Sequence, residues 1–168
     1  MVNYKYISIY FDKNRKLIGV PCGNDPKFGE YHVAELDIFF DLEPDYSDEI
    51  LEKFIADVFD ACFSKEISYD LDETTGRPKP ITALQKYTGK KGYTAASKSF
   101  QSISITWLNE EYRYEIRPLQ KDKKHRGAFT SIKGLTINVA QHNKFIPLEK
   151  GALALAFRTA MNIIASHM

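Results

Sequence analysis

The sequence predicts an α+β fold, with one domain over residues 1–168 in which a mainly antiparallel sheet packs against two to three helices. Hydrophobic residues make up 43% of the chain and aromatic residues 13%, a composition that can form a core without a disulfide or metal. Segments that alternate with period two outnumber segments with helical periodicity, and turn residues separate them, as in hairpins. No internal repeat or interdomain linker interrupts the pattern.

The N-terminal third carries the clearest strand pattern. Tyr4 to Phe11 and Leu17 to Val20 predict two strands, and the Pro- and Gly-rich stretch from Pro21 to Gly29 predicts a loop. His32 to Leu42 alternates throughout and predicts a strand with one buried and one wet face. On that wet face the pattern places Val33, Glu35, Asp37, Phe39 and Asp41.

A helix is predicted from Asp48 to Phe63, with Ser47 as its N-cap. Its apolar residues recur at helical spacing, which leaves an acidic outer face. Later elements are expected as follows: a polar connection over Ser64–Pro80, a short helix over Ile81–Tyr87, a hairpin of Ser99–Leu108 with Tyr112–Pro118, short strands at Ala128–Ile132 and Leu135–Val139, and a closing helix over Leu148–Ala165.

Charge is distributed unevenly along the chain although the net charge is only +1. Residues 30–76 carry fifteen acidic and two basic side chains, whereas residues 77–133 carry thirteen basic and four acidic ones. Such an uneven distribution of charge is typical of a protein that binds a charged partner. It predicts an acidic docking surface, with these partner-binding residues: Glu35, Asp37, Asp41, Asp48, Glu49, Glu52, Asp70, Asp72 and Glu73.

Two other interpretations of the acidic residues stay open. Carboxylates two residues apart on one strand face, at Glu35, Asp37 and Asp41, could hold a divalent ion in a small metal-dependent enzyme. Alternatively, they form only the solvated side of a half-covered sheet. The four histidines are scattered and the two cysteines lie in no nucleophile context, so we expect no catalytic residue, metal or other cofactor.

The basic loops at Lys90-Lys91 and at Lys121 to Arg126 allow a third interpretation, a nucleic-acid-binding module. Base stacking requires exposed aromatic residues beside the cations. Tyr112 and Tyr114 alternate away from Arg113 and Arg117, so we expect no direct contact with nucleic acid.

The compartment is expected to be the cytoplasm. Cys22 and Cys62 do not have the spacing of a disulfide framework, the N-terminus lacks a signal-peptide pattern, and no apolar run approaches the ~18 residues of a membrane span. No membrane partner is therefore expected.

The second half of the chain resembles the immunity proteins of bacterial contact-dependent growth inhibition systems. The order of its segments carries the resemblance, and Thr159 follows Arg158 where the family often has Cys or Ser. The segments are Lys86-Tyr87-Thr88-Gly89, Tyr93 to Ser99, Ser102 to Trp107, Tyr112 to Pro118, Gly127 to Ile132, Gly151-Ala152-Leu153 and Ala156-Phe157-Arg158.

This resemblance implies a small, non-catalytic α+β protein. Its partner would be the toxic C-terminal domain of a delivered effector, commonly a nuclease, which it binds and neutralises. One branch of the family accepts a toxin hairpin into its own sheet, a form of β-augmentation. The contacts differ with each toxin, so no interface residue is carried over from the family.

Overall fold

A computed structural model describes residues 4–71 and 75–167. The strands are Tyr4–Phe11 (β1), Leu17–Asp25 (β2), Gly29–Glu35 (β3), Phe40–Leu42 (β4), Tyr69–Leu71 (β5), Pro78–Pro80 (β6), Gln101–Leu108 (β7), Arg113–Lys121 (β8), Phe129–Ser131 (β9) and Ile137–Ala140 (β10). The helices are Asp48–Asp60 (α1), Ala83–Thr88 (α2), Tyr93–Ser97 (α3) and Ala152–Ser166 (α4). The α+β prediction is confirmed, with four helices in the described residues rather than two or three.

The main sheet is antiparallel and β1 lies near its centre. The strand order is β10-β8-β7-β1-β2-β3, with β4 paired to β2 and β9 paired to β8. β1 pairs along its whole length with β7, from Tyr4 opposite Leu108 to Phe11 opposite Gln101. The predicted hairpin of β7 and β8 is confirmed, with Ile105 opposite Ile116.

Alternate side chains of β1 contribute to two hydrophobic cores, one on each face of the sheet. Ile7, Ile9 and Phe11 pack with α1 and α4 on one face of the sheet. Tyr10, from the opposite face, packs with residues of α2 and α3 and with Phe100. Period-two alternation sends successive side chains to opposite faces. The sheet therefore separates the α1/α4 layer from the α2/α3 layer.

The prediction of one continuous strand from His32 to Leu42 is wrong. The chain forms β3 and β4, and residues 36–39 lie between them. Leu36 and Asp37 are adjacent and both buried, which strict alternation does not permit. The chain bends here, where the Leu36 N–H donates to the Pro21 carbonyl (2.9 Å).

Four further boundaries differ from the sequence pattern. β2 extends to Asp25, so the stretch expected as a loop is largely strand, and a hairpin of β5 and β6 lies within the expected connection. The stretch at 93–97 forms the short helix α3, and α4 begins only at Ala152. In each case tertiary contacts outweighed weak local preferences. No described helix is long and apolar enough to cross a membrane.

The packing of α1 on β2 requires a glycine at position 19. A Cβ there would lie 2.6 Å from Val58 Cγ2 and 2.9 Å from Phe54 Cζ. We therefore expect Gly19→Ala to lower the free energy of unfolding by about 1–3 kcal/mol through overpacking, measured by urea denaturation. The same change in a Val58→Ala background should cost clearly less, because the clashing methyl group is gone. Equal costs in both backgrounds would contradict this packing.

Candidate functional site

Glu35 points inward rather than outward. The Tyr10 hydroxyl donates a hydrogen bond to Glu35 Oε1 (2.6 Å), so the Tyr93 hydroxyl must donate to the Tyr10 oxygen (2.9 Å). Burial raises the pKa of Glu35 above its ordinary value, and hydrogen bonds from Ser8 and Tyr10 partly offset that rise. Its predicted place on a wet acidic face is wrong, because the carboxylate joins β3 to β1 and α3.

Asp37 is also internal, with only 6% of its surface exposed. Its two oxygens accept hydrogen bonds from Lys65 Nζ (2.8 Å) and Lys86 Nζ (2.7 Å). Burial acts to raise the pKa of Asp37, but the two lysines outweigh it and lower the pKa. The prediction that Asp37 lies outward is wrong, because this ion triad joins the β3–β4 connection to α2 and to the segment after α1.

Asp41 lies on β4 and is exposed as predicted. Lys16 Nζ lies 3.2 Å from its carboxylate and 3.0 Å from that of Glu43. Ion pairs at exposed positions are weak and screened by salt. A partner could therefore compete with Lys16 for these two carboxylates at little cost.

Two of the predicted acidic residues of α1 bind α4. Asp48 accepts from Arg158 Nε (2.9 Å). Glu52 accepts backbone N–H groups at the start of α4, from Gly151 (2.9 Å), Leu153 (3.1 Å) and Ala154 (3.1 Å). The N-cap Gly151 has no side chain to accept these protons. Glu52 therefore caps α4 from a neighbouring helix.

The other predicted acidic residues lie apart. Glu49 is exposed on α1 and forms no ion pair with a described residue. Asp70 is exposed on β5, where Oδ1 accepts from the Leu71 N–H (2.8 Å). Asp72 and Glu73 lie outside the described residues. The seven predicted side chains that the structure describes thus do not form one continuous patch.

An acidic-rimmed apolar groove lies between α1 and β4. Phe39 and Ile50 are 38% and 51% exposed, and the groove places these two apolar side chains side by side. Asp41 and Asp57 contribute carboxylates, and Lys53 pairs with Asp57 (2.9 Å). The groove has a volume of about 390 Å³ and is lined by Phe39, Phe40, Asp41, Leu42, Ile50, Lys53, Phe54 and Asp57. We call it the α1–β4 groove.

This groove lies at an edge of the sheet. β4 pairs with β2 on one side, and no described strand pairs with its other side. An unpaired edge presents N–H and C=O groups that can pair with an added strand. The groove therefore offers apolar contact, two carboxylates held in exposed ion pairs, and backbone pairing within one region.

Sequence reasoning missed the apolar part of this surface. The strand alternation predicts Phe39 on the wet face, and helical spacing predicts Ile50 on the apolar stripe of the helix. The signal was present, because an aromatic residue among carboxylates on a solvated face is unusual. Alternation alone does not distinguish such a contact residue from an ordinary member of a strand.

The fold brings together the two basic loops seen in the sequence. Lys91 from one loop and Lys121 and Arg126 from the other line a second cleft, of about 710 Å³, on the α2/α3 side of the sheet. We call it the basic cleft. Sequence reasoning identified the loops but not their convergence, which depends on α3.

The metal-site hypothesis has no support in the geometry of the described residues. Glu35, Asp37 and Asp41 have separate partners, as described above. Across residues 4–71 and 75–167, no three His, Cys, Asp or Glu side chains cluster in a way that could hold a metal ion. Cys22 and Cys62 are free thiols buried in the core.

Comparisons with known proteins identify the fold but no family. No family model matches the chain, and no curated protein matches its sequence. A solved structure from Neisseria meningitidis, a protein of unknown function named NMB0488, is similar with a TM-score of 0.57 and 19% sequence identity. The similarity covers 93% of this chain and 94% of that one. At this identity the comparison bears on the fold alone.

Substituting Asp37 by Asn should destabilise the protein in a pH-dependent way. The substitution removes two charge-assisted hydrogen bonds. Because both lysines are partly exposed, solvent screens these bonds, and we expect the free energy of unfolding at pH 7 to fall by about 1–2 kcal/mol. Because the folded-state pKa is lowered, the carboxylate stabilises the protein above its unfolded pKa of about 3.9 and loses that effect as pH falls through the folded pKa. Urea denaturation at pH 7, 5, 4 and 3 should show the difference from wild type shrinking below about pH 4. Asp70→Asn is the exposed control; a constant difference at every pH would contradict the ion triad.

Removing the Glu52 carboxylate should weaken α4. We expect Glu52→Ala to cost about 1–2 kcal/mol in unfolding free energy, the effect of losing a helix cap. Glu49→Ala makes the same chemical change one turn away, at an exposed site, and should change stability by less than about 0.5 kcal/mol. Equal effects of the two substitutions, measured by thermal denaturation, would rule out the capping role.

Proposed function

We propose that this chain is a non-catalytic immunity protein that binds and neutralises the toxic domain of an effector delivered by contact-dependent growth inhibition, with a nuclease as the most fitting toxin class. The resemblance of the second half of the chain supports the toxin system. The α1–β4 groove is the observation that carries the binding role.

The groove has the composition of a protein interface. Such interfaces combine an apolar centre with a polar rim, and a few apolar or aromatic anchors provide most of the affinity. Phe39 and Ile50 are available as anchors at the centre, while Asp41 and Asp57 lie beside them. The matching partner surface presents apolar side chains surrounded by lysine and arginine.

Negative charge near the groove fits a nuclease partner. Glu49 and Asp60 are exposed on α1 and form no ion pair with described residues. A nuclease needs a basic surface for its nucleic-acid substrate, and an acidic inhibitor surface can occupy it. Charge complementarity mainly accelerates association and sets specificity, which suits capture of an incoming toxin.

The edge of β4 supports β-augmentation as the mode of binding. An extended toxin segment could pair along β4 while its side chains enter the groove. The proposal places the protein in the cytoplasm, where the free thiols of Cys22 and Cys62 stay reduced.

Growth rescue tests the proposal directly. The toxin domain encoded by the neighbouring upstream reading frame should arrest growth when expressed alone, and co-expression with this chain should restore growth. Purified proteins should form a stoichiometric complex by size-exclusion chromatography. Growth arrest that persists during verified co-expression would reject the immunity function.

Ile50→Arg should abolish rescue without unfolding the protein. An arginine at the centre of the groove would meet the basic toxin surface and displace an apolar anchor, weakening the complex at least tenfold, or about 1.4 kcal/mol. Leu155→Arg is the matched control, because Leu155 is a 66% exposed apolar residue on α4. Rescue by both variants, or by neither, would remove the groove from the interface.

Reversing a charge on α1 tests whether the acidic residues accelerate association with the toxin, separately from the apolar contacts that hold the complex together. Glu49→Lys should slow association and flatten its dependence on salt while changing dissociation little. Glu66→Lys, an equal change at an exposed site beyond the groove, should leave the association rate within about twofold. Stopped-flow mixing at two or more salt concentrations measures both effects; equal rates for the two variants would contradict steering by α1.

A further inference from the structure

We propose that the basic cleft binds single-stranded nucleic acid through its phosphodiester backbone. The cleft lies between α3 and the turn that joins β8 to β9, with one wall from β6. Its lining includes two aromatic rings, Tyr93 and Phe129, and five cations, which are Lys79, Lys91, Lys98, Lys121 and Arg126. This inference does not depend on the proposed toxin-binding role, because the α1–β4 groove and the basic cleft share no lining residue.

Cations outnumber carboxylates five to one in this lining. The single carboxylate, Asp122, is already engaged, because it accepts from the Lys124 N–H (2.8 Å) and lies 3.2 Å from His125 Nδ1. Lys98 and Arg126 form no ion pair with any described residue. Their charge is therefore available for phosphate groups, which supply most of the affinity in nucleic-acid binding.

The two walls of the cleft are held together by specific contacts. A Cβ on Gly127 would lie 2.5 Å from Thr94 Oγ1 and 3.1 Å from Thr94 Cα, so only glycine permits this approach. Gly127 also has a φ of +82°, which favours glycine. Across the cleft, Lys121 Nζ donates to the Lys98 carbonyl. The cations are thus presented by a fixed site rather than by independent loops.

Two aromatic rings lie among these cations. The Tyr93 hydroxyl is hydrogen bonded to Tyr10 (2.9 Å), and the ring of Phe129 packs edge-on against Tyr10 with centroids 5.9 Å apart. Both rings are half-buried and line the cleft. Fixed aromatic rings beside backbone-binding cations are the combination that single-strand-binding sites use, because every base can stack on a ring. An acidic peptide would need the cations but not the rings.

The tyrosines that weigh against nucleic acid in the sequence pattern do not line the basic cleft. Tyr112 and Tyr114 do alternate away from Arg113 and Arg117 along β8, but the cleft takes its rings from α3 and β9. The acidic helix α1 lies on the opposite face of the sheet from α3. At physiological ionic strength the screening length is about 8 Å, so that charge repels a strand in the cleft only weakly.

Fluorescence anisotropy with a labelled twelve-nucleotide oligouridine tests the proposal on the intact chain. We expect a dissociation constant on the order of 1–100 µM at low salt, and a slope of log Kd against log salt of about 2–3 for three to four phosphate contacts. Lys98→Glu with Arg126→Glu should weaken binding at least tenfold. Lys13→Glu with Lys150→Glu makes the same charge change at exposed sites outside the cleft and should stay within twofold.

Three results would overturn the proposal. One is the absence of oligouridine binding by the wild-type chain, and another is an equal loss of binding in the cleft and control variants. The third is equally tight binding of a twelve-residue polyglutamate peptide, which would assign the cleft to acidic proteins instead. Circular dichroism checks that each variant is folded; if the charge-reversed cleft variant is not, Lys98→Gln with Arg126→Gln replaces it, with a smaller expected loss of about threefold to tenfold in affinity.

Discussion

The burial of β1 on both of its faces is the constraint on which the rest of the structure depends. Ile7 and Ile9 reach the α1/α4 layer while Tyr10 reaches the α2/α3 layer, so one strand fixes the positions of both layers. The α1–β4 groove lies at the β4 edge of the sheet, where Phe39 also packs against Tyr87 of α2, and the basic cleft lies on the α2/α3 side. The two candidate surfaces are thereby held at separate places on one sheet, one at the β4 edge and the other beside α3.

Many of the carboxylates between residues 30 and 76 form contacts within the protein. Asp37 holds two lysines, Asp48 holds Arg158, and Glu52 caps α4. These contacts connect segments far apart in sequence, so a block of carboxylates along the chain becomes a set of separate tertiary contacts. On α1 the exposed carboxylates that form no ion pair with a described residue are Glu49 and Asp60, and Glu49 is next to the exposed Ile50. A partner therefore meets a smaller and more mixed surface than the composition suggests.

The sequence correctly predicts the elements whose position depends on local sequence pattern. β1, the hairpin of β7 and β8, and the start of α1 at Asp48 behind its Ser47 cap follow from alternation, turn residues and capping, and all are confirmed. Alternation could not reveal that Asp37 turns inward, because the lysines that bind it come from residues 65 and 86. Nor could it show that two basic loops meet, since their approach depends on the Gly127 contact with Thr94. Local rules thus gave the elements, and long-range contacts decided which side chains share a surface.

Helix α1 has two stripes that contribute differently to folding stability. Leu51, Ile55 and Val58 are fully buried, so replacing them would cost stability in every context. Glu49 and Ile50 face solvent and can change with little effect on folding. Related proteins that recognise different partners could therefore diverge along the outer stripe while keeping the inner one. A single helix can in this way preserve an inherited scaffold and still acquire new specificity.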